Sequence, residues 1–392
     1  MTKRARNYVD ELRGASRLAI EATRGVTDLV EAMHHTIAGG PELLGRPLEG
    51  AARLVSAPIY AGIRGVTESV GAAIDLALGR LAPLVGDGDD EAGAERDALL
   101  AVVNGVLGDY LEASGNPLAI PMQLGRHDAA AATGKLVVLV HGSCLHDRSW
   151  RRRGHDHGAA LARDLGFTPY YLRYNSGLHI STNGAAFAAE LEALVDGWPL
   201  PLDELVIVGH SMGGLVARSA CAAGEAAGHR WRRRLGALVC LGAPHHGALL
   251  ERGGNWIDRS LGVSRYSAPL ARLGRIRSAG VTDLRHGNVR DEDWQGHDRF
   301  AHGHDLRRPL ALPDGVACYA IAATTATRPA ARLPGDGLVT VDSALGRHAD
   351  PARTLAFPEA HQWIGFGMGH LDLLGRPEVY ATVRGWLDVS AR

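Results

Sequence analysis

The chain has 392 residues, which is enough for two domains or for one large domain with an appendage. Its 42 Lys and Arg residues against 43 Asp and Glu residues give a net charge of −1. That balance excludes a strong overall attraction to nucleic acid or to an anionic membrane. Hydrophobic residues make up 46% of the sequence, so the chain can bury a core and is neither disordered nor fibrous.

The amino-terminal residues and the cysteines indicate the cellular compartment of the protein. Basic residues open the sequence and no apolar segment follows them, so we expect neither a secretory signal nor a transmembrane span. The cysteines are widely spaced, and no pair has the spacing of metal ligands: Cys144, Cys221, Cys240 and Cys318. The sequence therefore predicts reduced thiols in a cytoplasmic protein.

Residues 1–125 lack strand-like runs, and Ala, Leu, Val and Gly recur there at helical spacing. Short segments of this region repeat weakly, 14–18 as 50–54 and 24–28 as 64–68. We expect an all-helical N-terminal region, with a further helix at 98–113, that packs on the rest of the chain. The alternative is an amphipathic surface that makes the protein peripheral to a membrane or another lipid surface. Periodicity alone does not separate these two interpretations.

Residues 126–392 alternate between apolar runs typical of buried strands and segments with helical periodicity. The predicted strands are 136–140, 169–174, 205–208, 237–241, 316–322 and 354–357. The predicted helices are 157–165, 185–195, 212–223 and 377–389. This alternation predicts an α/β domain with a mostly parallel central sheet that helices cover on both faces.

Two irregularities modify that prediction. Residues 245–312 are rich in Arg, Gly, His and Asp and poor in apolar runs, so we expect a cap or lid insertion at one edge of the sheet. No clear strand precedes Leu136, so we expect a reduced sheet.

The strongest motif is Gly209-His210-Ser211-Met212-Gly213-Gly214, directly after a predicted strand and directly before a predicted helix. A tight turn between strand and helix lifts a serine hydroxyl out of the sheet and strains its backbone to positive φ. Side chains two residues to either side would collide there, which explains Gly209 and Gly213, while Gly214 lets the helix approach the sheet. The sequence therefore predicts Ser211 as a nucleophile.

A serine hydroxyl needs a base that a third group orients. On this kind of scaffold the acid and then the histidine follow the nucleophile along the chain. Asp336 lies between two glycines on a loop after a late strand, and Asp342 is its alternative. His370 lies between the last strand and the last helix, and His361 is its alternative. We predict Asp336 and His370 as the partners of Ser211.

Backbone N–H groups should stabilise the negative charge that develops on the substrate oxygen. One predicted donor is the N–H of Met212, at the amino end of the helix that follows the nucleophile. The other is the N–H of Ser143, in the loop that begins with His141-Gly142.

From about residue 135 to 390 the chain resembles the α/β-hydrolase superfamily, and within it bacterial lipase-like serine esterases and the GPI-inositol-deacylase-like branch. The matching pieces are His141-Gly142, Arg173-Tyr174-Asn175-Ser176-Gly177, the 209–214 motif, Leu241-Gly242-Ala243-Pro244-His245-His246-Gly247, Gly335-Asp336-Gly337-Leu338-Val339 and His370. The resemblance implies that carboxylic esters are hydrolysed through an acyl-serine intermediate without a cofactor. It does not extend to residues 1–125 and is only generic across 248–312.

Weaker signals complete the prediction. The insertion contains a His- and Asp-rich run at 297–305, but its spacing matches no template of metal ligands, so we expect no metal. His245 and His246 follow a strand and are expected to form a wall of the pocket. The predicted partner is a small-molecule or lipid ester, with no nucleic acid.

Two alternative functions stay open at this point. The same triad would serve a thioesterase or an amidase. A protein that binds a lipid or granule surface, with a vestigial hydrolase domain, would depend on the N-terminal helices instead.

Overall fold

The computed structural model describes residues 13–21, 23–25, 27–28, 31, 61, 64–65, 68, 90–128, 130–248, 277–300, 305–330 and 333–388. Most of the predicted N-terminal repeat and the middle of the predicted cap lie outside the described residues. The described residues form two units. The larger unit holds 98–109, 120–248 and 278–388, and the smaller unit holds the remainder. The division predicted near residue 125 stays a prediction.

The larger unit contains a seven-stranded sheet with the order β1-β3-β2-β4-β5-β6-β7. Its strands are β1 (Gln123–Gly125), β2 (Lys135–Val140), β3 (Thr168–Arg173), β4 (Glu204–His210), β5 (Leu235–Leu241), β6 (Ala317–Thr324) and β7 (Gln362–Phe366). Strand β1 pairs antiparallel with β3, and the other neighbouring strands pair parallel. Because parallel strands need crossover connections, helices join most of them.

The described helices are α1 (Asp90–Ala113), α2 (His157–Leu165), α3 (Ile180–Asp196), α4 (Met212–Ala226), α5 (Ala279–Asp283), α6 (Val341–Ala344) and α7 (Pro377–Leu387). Helices α3 and α4 share one hydrophobic cluster with one face of the sheet, and α2 and α7 share a second cluster with the other face. Within β2, Val138 lies in the first cluster and Leu139 in the second. A strand buried on both faces requires a continuous apolar run, and this confirms the prediction for 136–140.

The last predicted strand is wrong. Residues 354–357 form no strand, although Leu355 and Phe357 are 8% and 5% exposed. The backbone of Leu355 donates to Gly346, and that of Phe357 donates to Leu355, which are loop hydrogen bonds. The apolar residues alternate at 354–357 because they are buried in a loop and not because they form a strand. The last strand is Gln362–Phe366 instead.

The sequence shows no clear strand before Leu136 and predicts helices alone up to residue 125, but the structure has strand β1 at 123–125. Strand β1 is three residues long and pairs with β3 through its backbone. Its Gln-Leu-Gly sequence has no apolar run to detect. The remaining strands and helices predicted at 126–392 are confirmed, with shifts of up to five residues at their ends, and the helix predicted at 98–113 is present but begins at Asp90.

In the smaller unit the two copies of the repeat pair reciprocally. Arg24 Nη2 lies 3.2 Å from Glu68 Oε1, and Arg64 Nη1 lies 2.8 Å from Asp28 Oδ1. All four residues are helical. The first residue of each copy therefore contacts the last residue of the other, so the copies run antiparallel. Such exposed pairs contribute about 0–1 kcal/mol each and mainly define the register.

The cysteines are free, and Cys221, Cys240 and Cys318 lie in α4, β5 and β6 as predicted. Burial raises the pKa of the Cys221 thiol to about 12. In the described part of the chain, no helix combines the length and the hydropathy that crossing a bilayer requires.

Candidate active site

Ser211 caps the amino end of α4 directly after β4, with φ 55° and ψ −125°. This backbone conformation is rare for a residue with a side chain and is stable only where the surroundings enforce it. The Ser211 N–H donates to the Leu241 carbonyl at 2.8 Å, which fixes the turn against the end of β5. The predicted strand–serine–helix turn is therefore present at this position.

The glycines of the motif allow close packing around that turn. A Cβ on Gly209 would lie 2.6 Å from the Cα of Gly214, and a Cβ on Gly213 would overlap the carbonyl oxygen of Val140. A Cβ on Gly214 would lie 2.7 Å from that of Ala243, just after β5. All three neighbours are backbone or rigid core atoms, so the steric reasoning from the sequence is confirmed.

Asp336 and His370 are in contact. His370 Nδ1 lies 2.7 Å from Asp336 Oδ2, and both residues are buried. The other carboxylate oxygen of Asp336 accepts the backbone N–H groups of Leu338 and Val339 at 2.9 and 2.8 Å. The His370 N–H donates to the Asp336 carbonyl at 3.1 Å. These bonds fix the carboxylate and the imidazole relative to each other.

The chain brings both residues to the carboxyl ends of neighbouring strands. Thr325, just after β6, donates its N–H to Gly335 at 2.8 Å, so the loop returns to the strand at Asp336. Met368, just after β7, donates to Thr324 at 3.0 Å and places His370 beside that loop.

The two alternatives lie elsewhere. Asp342 is exposed at the start of α6. His361 Nδ1 contacts the carbonyl of Cys318 at 3.1 Å, near the amino end of β6. Because Asp336 lies beyond the opposite end of that strand, His361 is at the wrong edge of the sheet.

Ser211 and the imidazole of His370 both adjoin the segment Leu241-Gly242. The Ser211 N–H bonds to Leu241, and a Cβ on Gly242 would lie 3.3 Å from Cε1 and Nδ1 of His370. Gly242 has φ 61° and no side chain, which leaves room for the imidazole. The structure thus gathers Ser211, Asp336 and His370 at one edge of the sheet.

The loop after β2 packs on Ser211. A Cβ on Gly142, the residue before Ser143, would lie 3.0 Å from the Cβ of Ser211. Met212 is the first residue of α4, where backbone N–H groups have no partner within the helix. One predicted N–H donor thus directly follows Ser211 in the chain, and the other directly follows a glycine that packs on Ser211.

His141 supports this loop from behind. Its ring stacks on Tyr174 at 4.3 Å, and the Tyr174 hydroxyl donates to the His141 carbonyl at 2.8 Å. Burial lowers the pKa of His141 to about 4, so it is neutral at physiological pH.

Sequence reasoning assigned no role to His210. Its Nε2 lies 3.1 Å from the carbonyl oxygen of His370, and the two ring centroids are 4.8 Å apart. Burial holds the pKa of His210 well below its usual range, so the ring is neutral and donates through Nε2–H. The only sequence signal was its position inside the motif, next to Ser211.

His245 and His246, which were expected to form a wall of the active-site pocket, line a small cavity together with Arg218. Ser211, Asp336 and His370 do not line this cavity. Among the described residues, no cluster of three or more His, Cys, Asp or Glu side chains is arranged to hold a metal ion. His302 and His304, in the His- and Asp-rich run, lie outside the described residues.

Comparison with known families matches residues 189–307, less than a third of the chain, to the PGAP1-like alpha/beta domain. The matched segment includes Ser211 and ends before Asp336. No protein of curated function matches this chain by sequence.

Several solved structures are similar at low identity. The mature lipase BlEst2 of Bacillus licheniformis is 18% identical, with 68% of this chain and 97% of that chain covered and a TM-score of 0.42. Lipase B of Aspergillus fumigatus is 13% identical, with 67% and 54% covered and a TM-score of 0.39. An esterase of Pyrococcus furiosus is 13% identical, with 65% and 81% covered and a TM-score of 0.36.

The architecture itself identifies the fold. A mostly parallel sheet has a strained serine between β4 and α4, followed in chain order by an aspartate after β6 and a histidine after β7. A serine on a tight turn between strand and helix, followed in the chain by the acid and then the histidine, is characteristic of α/β-hydrolases. The protein has the α/β-hydrolase fold.

Proposed function

We propose that the protein hydrolyses carboxylic esters, with Ser211 as nucleophile, His370 as general base and Asp336 as the residue that orients the imidazole. The observation that carries the proposal is the 2.7 Å contact of His370 Nδ1 with Asp336 Oδ2 beside a serine at φ 55°. Since Nδ1–H donates to the carboxylate, the lone pair of the imidazole lies on Nε2, where a base must have it.

The first half-reaction forms the acyl-enzyme. His370 Nε2 takes the proton of Ser211 as its Oγ attacks the ester carbonyl carbon. The N–H groups of Met212 and Ser143 bind the oxyanion of the tetrahedral intermediate. As the intermediate collapses, His370 gives the proton to the leaving alcohol, and the acyl group stays on Ser211.

The second half-reaction repeats these steps with water. His370 removes a proton from the water, the resulting hydroxide attacks the acyl carbonyl, and the acid leaves as His370 returns the proton to Ser211 Oγ. No cofactor takes part. Asp336 stays ionised and stabilises the imidazolium that forms in each step.

Hydrolysis of p-nitrophenyl esters by the full chain tests the proposal. We expect turnover by the wild-type protein and none by Ser211→Ala, with an unchanged melting temperature. Ser114→Ala, at an exposed hydroxyl that bonds to Tyr110, is the matched control and should keep full activity. A Ser211→Ala variant with normal turnover would contradict the assignment.

The acyl substrate class is a second question for the same site. Rates on a matched ester, thioester and amide distinguish an esterase from the thioesterase and amidase alternatives, and we expect the ester to be fastest.

A series of acyl chain lengths, assayed with and without lipid vesicles, tests whether the substrate is a lipid ester. Co-sedimentation of the full chain with those vesicles tests the predicted lipid contact, and cell fractionation tests the predicted cytoplasmic location.

A further inference from the structure

Arg218 carries a buried charge that the proposed reaction does not use. It lies two turns after Ser211 on α4 and is 4% exposed. Its Nη1 donates to His245 Nδ1 at 3.3 Å and its Nη2 donates to the Leu310 carbonyl at 2.7 Å, and both acceptors are neutral. No carboxylate of the described residues forms an ion pair with Arg218. Burial lowers the pKa of Arg218 to about 10, so it stays protonated at neutral pH.

Two hydrogen-bond donors beside that charge lack acceptors. A guanidinium only donates, so His245 Nδ1 accepts from Arg218 and the proton of the neutral ring is on Nε2. Both Arg218 Nε and His245 Nε2 are buried without a hydrogen-bond partner among the described residues. Buried donors and buried charges without partners are costly, and native structures normally satisfy them.

Arg218 and His245 line the same cavity, of about 30 Å³, which we call the Arg218 cavity. It exceeds the roughly 10–15 Å³ that one water-sized group requires. The other charged residues of its lining are Asp293, Arg307, Arg308 and Arg353. Four arginines thus face one carboxylate in the lining. Outside the lining, Asp305 pairs with Arg307 and Arg353, and Asp350 Oδ2 lies 3.6 Å from Arg353 Nε, so one positive charge remains in excess among these residues.

The one lining carboxylate does not neutralise Arg218. Asp293 Oδ2 accepts the backbone N–H groups of Val289 and Arg290 at 2.9 and 3.0 Å. Its Oδ1 is buried without a partner among the described residues. A water molecule that joins Arg218 to Asp293 is therefore the competing occupant, and it would leave the excess of positive charge in place.

We propose that the Arg218 cavity binds a small inorganic monoanion of the size of chloride, which the buried guanidinium of Arg218 holds by its charge and by a hydrogen bond. The site joins α4 to the loop after β5 and, through Arg307 and Leu310, to the segment 305–310. Its occupant therefore stabilises the folded state without taking part in the reaction. This inference does not depend on the proposed function.

Thermal unfolding of the full chain in sodium chloride and in sodium gluconate of equal ionic strength tests the site. Gluconate is too large for the cavity, so we expect the melting temperature to rise and saturate with chloride or bromide but not with gluconate. Equal melting temperatures in the two salts at every concentration would overturn the proposal and leave water as the occupant.

Arg218→Met should abolish the difference between the two salts, because it removes the charge and the donor. Arg230→Met is the matched control, since Arg230 is exposed and pairs with Glu192 and Asp196 on another surface. The control variant should keep the full anion dependence. The same loss in both variants would contradict the site.

A crystal of the wild-type protein grown in bromide keeps the proposal testable if Arg218→Met fails to fold. We expect an anomalous peak in the Arg218 cavity, in contact with the Arg218 guanidinium. The absence of a peak, with a water bonded to Asp293 Oδ1 in its place, would overturn the inference.

Discussion

The imidazole of His210 donates a hydrogen bond to the carbonyl oxygen of His370, across 3.1 Å, although the two residues are 160 positions apart in the chain. The backbone N–H of His370 in turn donates a hydrogen bond to the carbonyl oxygen of Asp336. Both backbone polar groups of His370 are thus fixed, so the residue next to the nucleophile holds the proposed base in position.

Replacing His210 tests this positioning role. His210→Phe keeps a ring but removes the donor, and we expect kcat to fall up to about 100-fold with little change in KM, because a misplacement of 1 Å can cost that much. His210→Gln can still donate to the His370 carbonyl and should recover part of the loss. Equal losses in both variants, or a change in KM alone, would show that His210 only fills space.

Replacing Asp336 tests the orientation of the base. Asp336→Asn presents an N–H to His370 Nδ1 and favours the wrong tautomer, so kcat should fall by about 10⁴-fold. Asp342→Asn, at the exposed alternative six residues later, should leave kcat unchanged. Comparable losses in the two variants would mean that the acid is assigned to the wrong residue.

Buried neutral histidines should make the protein sensitive to acid. Burial lowers the pKa of both His141 and His157 to about 4. Since the unfolded chain binds these protons near pH 6.5, the free energy of unfolding is largest above that pH and falls as the pH drops toward 4. Each such histidine adds up to about 1.4 kcal/mol per pH unit to the slope in that window.

Denaturant unfolding at a series of pH values measures that slope. His157 donates to the Leu373 carbonyl at 2.9 Å, and His157→Gln can keep this bond without titrating. The variant should therefore have a shallower slope between about pH 6.5 and 4. His297→Gln, at an exposed position, is the control and should keep the wild-type slope. An unchanged slope in His157→Gln would contradict the pKa shift of His157.

Two glycine substitutions test the packing of the serine turn. Gly213→Ala forces a methyl group onto the Val140 carbonyl, a rigid backbone atom, so we expect it to lower the free energy of unfolding by about 3 kcal/mol or more. Gly385→Ala, in the exposed part of α7 with open space around it, should raise that free energy by about 1 kcal/mol. Denaturant unfolding measures both, and a tolerated Gly213→Ala would contradict the packing argument.

The features that the sequence predicted correctly are those that short segments of the chain determine. The turn at Ser211 combines a buried strand, flanking glycines and a helix in one short segment, and the structure has each of them. Asp336 and His370 were found from chain order and from their position after late strands, and the structure places them 2.7 Å apart.

The features that the sequence missed depend on contacts between distant segments. Strand β1 has no pattern of its own and exists through pairing with β3. The bond from His210 to His370 and the cavity that Arg218 shares with His245 join segments whose spacing in the chain carries no signal. At residues 354–357 the sequence predicted a strand that the structure does not have, because a buried loop there has the same alternation of apolar residues as a strand.

Labelling of the folded full chain with a fluorophosphonate, followed by peptide mapping, tests the central claim most directly. We predict a single adduct on Ser211, formed much more slowly in His370→Ala and at the normal rate in His361→Ala. Folded protein that takes up no label, or that carries it on another residue, would contradict the account.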